Sequence, residues 1–194
     1  MNPKGYSQMK RLRQQFRRFR RDETGTLLAE GVIMLPIMFW ALMAMFVFWD
    51  AFRTINTVQK VSYTVSDVIS RRRAEVSPAY LEGLGDLFNF LLDRGQTGRI
   101  RVTSLTWTEH DDTYRVLWSY SPDGAMSAHT NASVGAIRPN LPVMADGDSV
   151  VLVETQVDYR AAFEMGLGQK TISQFIVTRP RLVSRICFQN IACG

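Results

Sequence analysis

The sequence lacks the short motifs that mark the common catalytic and nucleotide-binding sites. It contains no GxSxG, P-loop or GxGxxG pattern, and no CxxC or HExxH spacing for a metal. Its two histidines, His110 and His129, stand in polar turn or loop sequence, where surface positions are expected. The carboxylates at 111–112 and 146–148 do not match a calcium loop and are typical of turns. The residues therefore predict no enzyme active site, no cofactor and no metal site.

An excess of positive charge is missing from most of the chain. The formal net charge is +5, but residues 1–25 contain eight Lys/Arg and two Asp/Glu, a balance of +6. Residues 50–194 contain 15 Lys/Arg and 15 Asp/Glu and are neutral. Because the basic character belongs to the N-terminal segment alone, no nucleic-acid-binding face is expected. Within that segment, residues 9–21 fit either an amphipathic helix on a membrane surface or a solvated basic tail.

Charge is almost absent from residues 26–49, in which Glu30 is the one ionisable residue. The 19 uncharged residues from Gly31 to Trp49 would extend roughly 28 Å as a helix, close to the thickness of the bilayer hydrocarbon. The sequence therefore predicts a transmembrane helix at 26–49, with Trp49 in an aromatic belt. Since short flanks rich in Lys/Arg stay in the cytoplasm, residues 1–25 are expected inside and residues 50–194 outside.

Cysteine is scarce: the chain has two, Cys187 and Cys193, in the C-terminal segment CFQNIAC. If this part lies in an oxidising compartment, a small disulfide loop is expected. Two unpaired or buried thiols are the alternative.

A helical period continues beyond the apolar run. Apolar residues recur at intervals of three or four as far as Ser70, namely Phe52, Ile55, Val58, Val61, Val65 and Val68. This spacing predicts an extracytoplasmic helical stem at 50–76. One stripe of the stem is expected to pack against an extracytoplasmic domain at 77–194.

The remaining sequence predicts a short helix followed by strands. Ser77-Pro78 fits the N-cap and first position of a helix. Alternating apolar residues at 100–107 and 114–118 predict a hairpin, and 149–159 predicts a central strand. Residues 170–179 predict another strand, and 121–148 are expected to be mostly loop. The expected fold class is α+β: a single N-terminal transmembrane helix extending into a stem, then a short helix and an antiparallel sheet domain.

Glu30 is the unusual residue of the apolar run. A carboxylate in a membrane span costs ~2.5 kcal/mol or more near the bilayer centre, and less near the interface. Such a residue is a candidate functional site when a partner for it exists. The alternative is that Glu30 marks the inner edge of the span and reaches the lipid headgroups.

The residues around Glu30 carry a resemblance. A basic leader, then Gly25, then Thr-Leu-Leu-Ala-Glu30 and an apolar helix, resembles the class III signal of type IV pilins. In that family a prepilin peptidase cleaves after the glycine, and a glutamate is the fifth residue of the mature chain. The resemblance implies cleavage between Gly25 and Thr26. The new ammonium of Thr26 would then pair with Glu30 of a neighbouring subunit, which compensates for the buried carboxylate.

The segment FRRDETGTLLAEGVIMLP, residues 19–36, resembles the start of TadE/TadG-like proteins of the tight-adherence (Tad, or Flp) pilus system. Residues 149–163 and 178–181 look like the final strands of that family. The resemblance implies a minor pseudopilin or accessory component in the bacterial inner membrane, with other pilus assembly proteins and the prepilin peptidase as partners. Pro36 is expected to kink the helix.

One residue departs from the family pattern. An aromatic residue usually follows the glutamate in processed members, whereas Gly31 follows it here. An uncleaved, membrane-anchored periplasmic binding module therefore stays open, and so does a membrane-tethered enzyme.

Overall fold

A computed structural model of the chain describes residues 17–18, 24–92, 96–163, 166, 168–191 and 193. Most of the predicted leader and of the predicted amphipathic helix lies outside these residues. The chain divides into two compact units, Met1–Phe46 and Val47–Gly194. The helices are α1 (Thr24–Ser70), α2 (Pro78–Leu91) and α3 (Asn131–Ile137), with short 3-10 helices at Pro122–Gly124 and Arg138–Asn140. The strands are β1 (Gly98–Thr108), β2 (Thr113–Tyr120), β3 (Ser149–Arg160) and β4 (Gln169–Thr178).

The α+β prediction is confirmed. A long N-terminal apolar helix and shorter helices accompany a four-stranded antiparallel sheet of order β2-β1-β3-β4. The hairpin, the short helix after Ser77 and both later strands lie where the sequence predicts them. β3 is interior and pairs with β1 and β4, because its apolar run is suited to burial on both faces.

The residues of β3 alternate between two cores. Val151, Val153 and Val157 lie in the core that α1 and α2 cover. Val150 and Leu152 lie in a second core, on the opposite face, together with residues of α3 and the segment after it. This period of two follows from strand geometry, in which successive side chains point to opposite faces.

A β-bulge in the hairpin changes which residues share a face. The sequence places Tyr114, Val116 and Trp118 in one alternating series, but the pairing shifts between Ser104 and Leu105, so that Leu117 is the extra residue. Trp118 therefore joins the core under α1, while Tyr114 lies in the other core. An inserted residue reverses the alternation beyond it.

The predicted stripe on the stem is right at its centre and wrong at its ends. Val58, Val61 and Val65 are buried, but Phe52, Ile55 and Val68 are 65%, 38% and 37% exposed. At ~100° per residue, Phe52 lies about 120° and Val68 about 80° from the direction of Val58. The buried face follows a period closer to 3.6 and includes Val47, Thr54, Val58, Val61, Ser62, Val65, Ser66 and Ile69.

The expectation that 121–148 is mostly loop needs one correction. This segment contains the seven-residue helix α3, which Thr130 begins as an N-cap. The Thr130 and Ser133 side chains form a capping box with each other's amides. Val134 of this helix is buried in the second core. A helix of two turns is too short for a clear hydrophobic period, so the capping residues were its one strong sequence signal.

The predicted disulfide joins Cys187 to Cys193, whose Cα atoms are 5.2 Å apart. Next to it, Val76 and Phe188 form a parallel bridge, in which the Val76 amide donates to the Cys187 carbonyl at 2.8 Å. The Phe188 ring contacts Trp118 with centroids 5.2 Å apart. The C-terminal segment is therefore attached to the link between α1 and α2.

Candidate functional site: an apolar helix and its attachment to the sheet

The N-terminal part of α1 exposes apolar side chains on all sides. It belongs to α1, which among the described residues is the one helix long and apolar enough to cross a membrane. A stretch of 18 residues in this helix has a mean hydropathy of 2.3, and 6% of that stretch is buried. The exposed side chains include Leu28, Val32, Ile33, Met34, Leu35, Ile37, Met38, Phe39, Trp40, Leu42 and Met45. A soluble monomer rarely exposes so large an apolar surface, so lipid or another protein is needed to cover it.

The predicted site residues at the start of α1 all lie on the helix. Gly25, Thr26 and Glu30 are exposed, and the proposed cleavage bond lies in the first helical turn. The space that a Cβ on Gly25 would occupy has no neighbouring atom within 4 Å. In the described part of the chain, no cationic side chain pairs with Glu30, which leaves it open to a partner.

Pro36 lies inside α1, which continues through it. Proline has no amide hydrogen, so the carbonyl four residues earlier, at Val32, loses its helical donor. The sequence prediction that Pro36 kinks the helix stays a prediction.

Two hydrogen bonds attach α1 to the interior strand. The hydroxyl of Tyr159 donates to Asp50 at 2.8 Å. Ser62 Oγ donates to the Val58 carbonyl at 2.7 Å, so the Thr155 hydroxyl, also at 2.7 Å, must donate to Ser62. Ser62 and Thr155 are fully buried. Burial, and after it the hydrogen bond and the charge of Asp50, raise the pKa of Tyr159 to about 12.

A charged network lies on the other face of the sheet. Arg101 donates to both carboxylate oxygens of Glu154, at 2.7 and 2.8 Å, from the position directly opposite on β1. His129 Nε2 lies 2.8 Å from Glu154 Oε2. The prediction that His129 is a surface residue is wrong, because its side chain is 7% exposed. His110, by contrast, is exposed as expected.

The network extends to a serine in an order that resembles a hydrolase triad. His129 Nδ1 lies 2.8 Å from Ser133 Oγ, so a hydroxyl, an imidazole and a carboxylate are connected. However, Arg101 binds both oxygens of Glu154, and Ser133 is held by the amide and carbonyl of Thr130. Because these groups satisfy one another, the arrangement fits the attachment of α3 to β3.

The sequence contained a signal for this network. Arg101 and Glu154 are charged residues next to apolar ones within their strands, in IRVTSL and VVLVETQV. A charge in the middle of a buried strand requires a partner of opposite charge, and these two suit each other. The register that places them opposite each other could not be read from the sequence.

A shallow cavity of about 290 Å³ lies between α2, β1 and the 3-10 helix at Pro122–Gly124. Its lining includes the carboxylates of Glu82, Asp86 and Asp123, and Arg99. The described residues contain no group of three or more His, Cys, Asp or Glu placed to hold a metal ion.

Comparison of the chain with known protein families, curated proteins and solved structures finds no match.

Proposed function

We propose that the chain is a minor pseudopilin or accessory component of a bacterial Tad/Flp pilus assembly system. It acts by helix packing and subunit contacts and performs no catalysis. The observation that carries the proposal is Glu30, which is exposed on the apolar part of α1 and lies five residues after Gly25.

The proposed location is the inner membrane, with the N-terminus in the cytoplasm and the C-terminal domain in the periplasm. The charge of +6 on residues 1–25 supports this orientation, since basic flanks remain inside. The disulfide between Cys187 and Cys193 also supports it, because disulfides persist in oxidising compartments.

Cleavage after Gly25 gives Glu30 a partner. The mature chain would begin at Thr26 with an ammonium group, which adds to the partial positive charge of the helix N-terminus. Glu30 is about one turn further along, so pairing is more favourable between staggered neighbouring chains than within one chain. In a medium of low dielectric a slip in register would leave both charges unpaired, so the pair fixes the register of the subunits.

The processing step is tested by mass spectrometry of the chain extracted from cells with an active prepilin peptidase. The expected product begins at Thr26. Gly25→Val should block cleavage and leave the full-length chain. Gly31→Val is the matched control, because the space around both glycines is open; it should be processed normally.

The role of Glu30 is tested separately by Glu30→Gln. This variant should insert into the membrane and be processed, but should co-purify poorly with partner pseudopilins. A wild-type chain that retains residues 1–25 in these cells would contradict the pseudopilin role. It would favour the uncleaved anchored module instead.

A further inference from the structure

One end of the sheet lies beside the end of the apolar run. Tyr159, the residue before the last of β3, donates its hydrogen bond to Asp50. Asp50 directly follows Trp49, the last of the uncharged residues. All three belong to the compact unit Val47–Gly194. The C-terminal end of β3 is therefore held at the level at which α1 leaves its apolar stretch.

Further contacts show the direction of α1 along the sheet. Ser62 meets Thr155, four residues before Tyr159, and the Ser70 carbonyl accepts from the Arg181 amide at 2.8 Å. Arg181 follows β4, whose last residue pairs with Val151. α1 therefore runs antiparallel to β3. The first residue of β3 lies roughly 35 Å from its last, at the far end of the sheet.

The end of the sheet beside Asp50, called the near end below, carries exposed cations and aromatic rings. Arg53, Arg160 and Lys170 are exposed. Arg160 and Lys170 stand next to each other on the paired ends of β3 and β4. The rings are those of Trp49, Phe52 and Phe163, which are 57%, 65% and 45% exposed.

Two described carboxylates at this end are bound within the domain. Asp50 accepts the hydrogen bond of Tyr159. Asp158 accepts from Arg99 and from Thr171, both at 2.9 Å.

We propose that this end of the domain binds the surface of an anionic phospholipid bilayer. Arg160 and Lys170 contact the lipid phosphates, and the aromatic rings lie at the depth of the headgroups. Lipid is the occupant because Trp49, at this end of the domain, is itself the last residue of the apolar run. The proposal rests on the membrane-spanning part of the proposed function and is independent of cleavage and of pilus assembly.

The test places a nitroxide label on the full chain in nanodiscs that contain phosphatidylglycerol. Because both native cysteines are in a disulfide, a single added cysteine can be labelled selectively. Phe163→Cys reports the near end, and Val143→Cys, at a position 96% exposed just before β3, is the matched control. The ratio of collisions with oxygen to collisions with a water-soluble nickel chelate should be severalfold higher at 163 than at 143. Equal ratios would overturn the proposal.

The charge of the lipid is the second variable. Arg160→Gln with Lys170→Gln should bring the ratio at 163 close to that at 143. Nanodiscs of phosphatidylcholine alone should have the same effect. Arg115→Gln with Arg138→Gln, at the far end of the sheet, should leave the ratio unchanged. A ratio at 163 that is insensitive to both changes would contradict the role of the cations.

A label at Met38→Cys distinguishes failure of the surface contact from failure of the membrane anchor. If position 38 is in lipid and position 163 is in water, the surface contact is wrong while the membrane anchor stands. If position 38 is itself in water, the membrane-spanning part of the proposed function is wrong, and the surface contact with it.

Discussion

The hydroxyl of Tyr159 donates a 2.8 Å hydrogen bond to the carboxylate of Asp50, across a sequence separation of 109 residues. Tyr159 is 3% exposed, so its hydroxyl depends on this acceptor. The contact attaches the end of the interior strand to the first charged residue after the apolar run. This hydrogen bond, together with the one between Thr155 and Ser62, attaches β3 to α1.

Tyr159→Phe should lower the free energy of unfolding of the C-terminal unit by about 1–2 kcal/mol, because Asp50 loses a donor while remaining half-buried. Urea denaturation of the full chain in detergent, followed by tryptophan fluorescence, measures the change. Tyr63→Phe is the matched control, since Tyr63 is 56% exposed, and it should be close to neutral. Equal effects of the two substitutions would contradict the importance of the bond.

Stability should also decline at alkaline pH. Folding raises the pKa of Tyr159 from 10.0 to about 12, so the folded state favours the neutral phenol. This contribution is fully present below pH ~10 and is lost as the pH rises through the folded pKa. The wild-type protein should lose more stability over this range than Tyr159→Phe. Parallel pH profiles for the two proteins would refute the assignment.

The stem should depend on its buried stripe. Val61→Asp with Val65→Asp places two unpaired charges at positions that are 6% and 0% exposed. We expect a loss of more than about 4 kcal/mol, enough to unfold the sheet domain. Gln59→Asp with Tyr63→Asp has the same spacing on an exposed face and should cost about 1 kcal/mol or less. Thermal unfolding by near-UV circular dichroism distinguishes these results, and an unchanged transition in the Val61/Val65 variant would show that the stem is independent of the sheet.

Two arginine–carboxylate pairs between β1 and β3 offer a matched comparison. The side chains of Arg101 and Glu154 are 15% and 13% exposed, whereas those of Arg99 and Asp158 are 40% and 57% exposed. Glu154→Gln should cost about 3 kcal/mol, because it leaves Arg101 without a counter-charge in a largely buried site. Asp158→Asn should cost about 1 kcal/mol or less. Chemical denaturation measures both, and similar losses would mean that burial does not set the value of these pairs.

The disulfide tests the compartment of the C-terminal domain. If the domain lies outside the cytoplasm, protein isolated from cells after thiol blocking should have no free thiol under denaturing conditions. Two reactive thiols would contradict the orientation. Replacing both cysteines with serine should lower stability by roughly 2 kcal/mol, from the loss of a short loop closure. The sheet should remain folded, because the bond constrains only the chain end.

Periodicity along the chain determined the elements of this protein. The uncharged run predicted the apolar helix, the continuous apolar run in 149–159 predicted the interior strand, and Ser77-Pro78 predicted the start of α2. Each of these signals is local, because helix and strand place side chains with fixed periods of 3.6 and 2. The local nature of these signals also explains the errors. Phe52 and Val68 fit an approximate helical spacing, but they lie on a side of α1 that the sheet does not cover.

The tertiary structure alone decided which distant residues meet. The bulge opposite Ser104 set the face of Trp118, the pairing of β1 with β3 placed Arg101 opposite Glu154, and the packing of α1 brought Asp50 to Tyr159. Such contacts depend on strand register and on the direction in which α1 packs. Neither can be read from the residues of one segment alone. The sequence by itself therefore determined the anchor-like helix, its charge asymmetry and the strands. The structure determined how the sheet is attached to the part of α1 after the apolar run and which end of β3 meets Asp50.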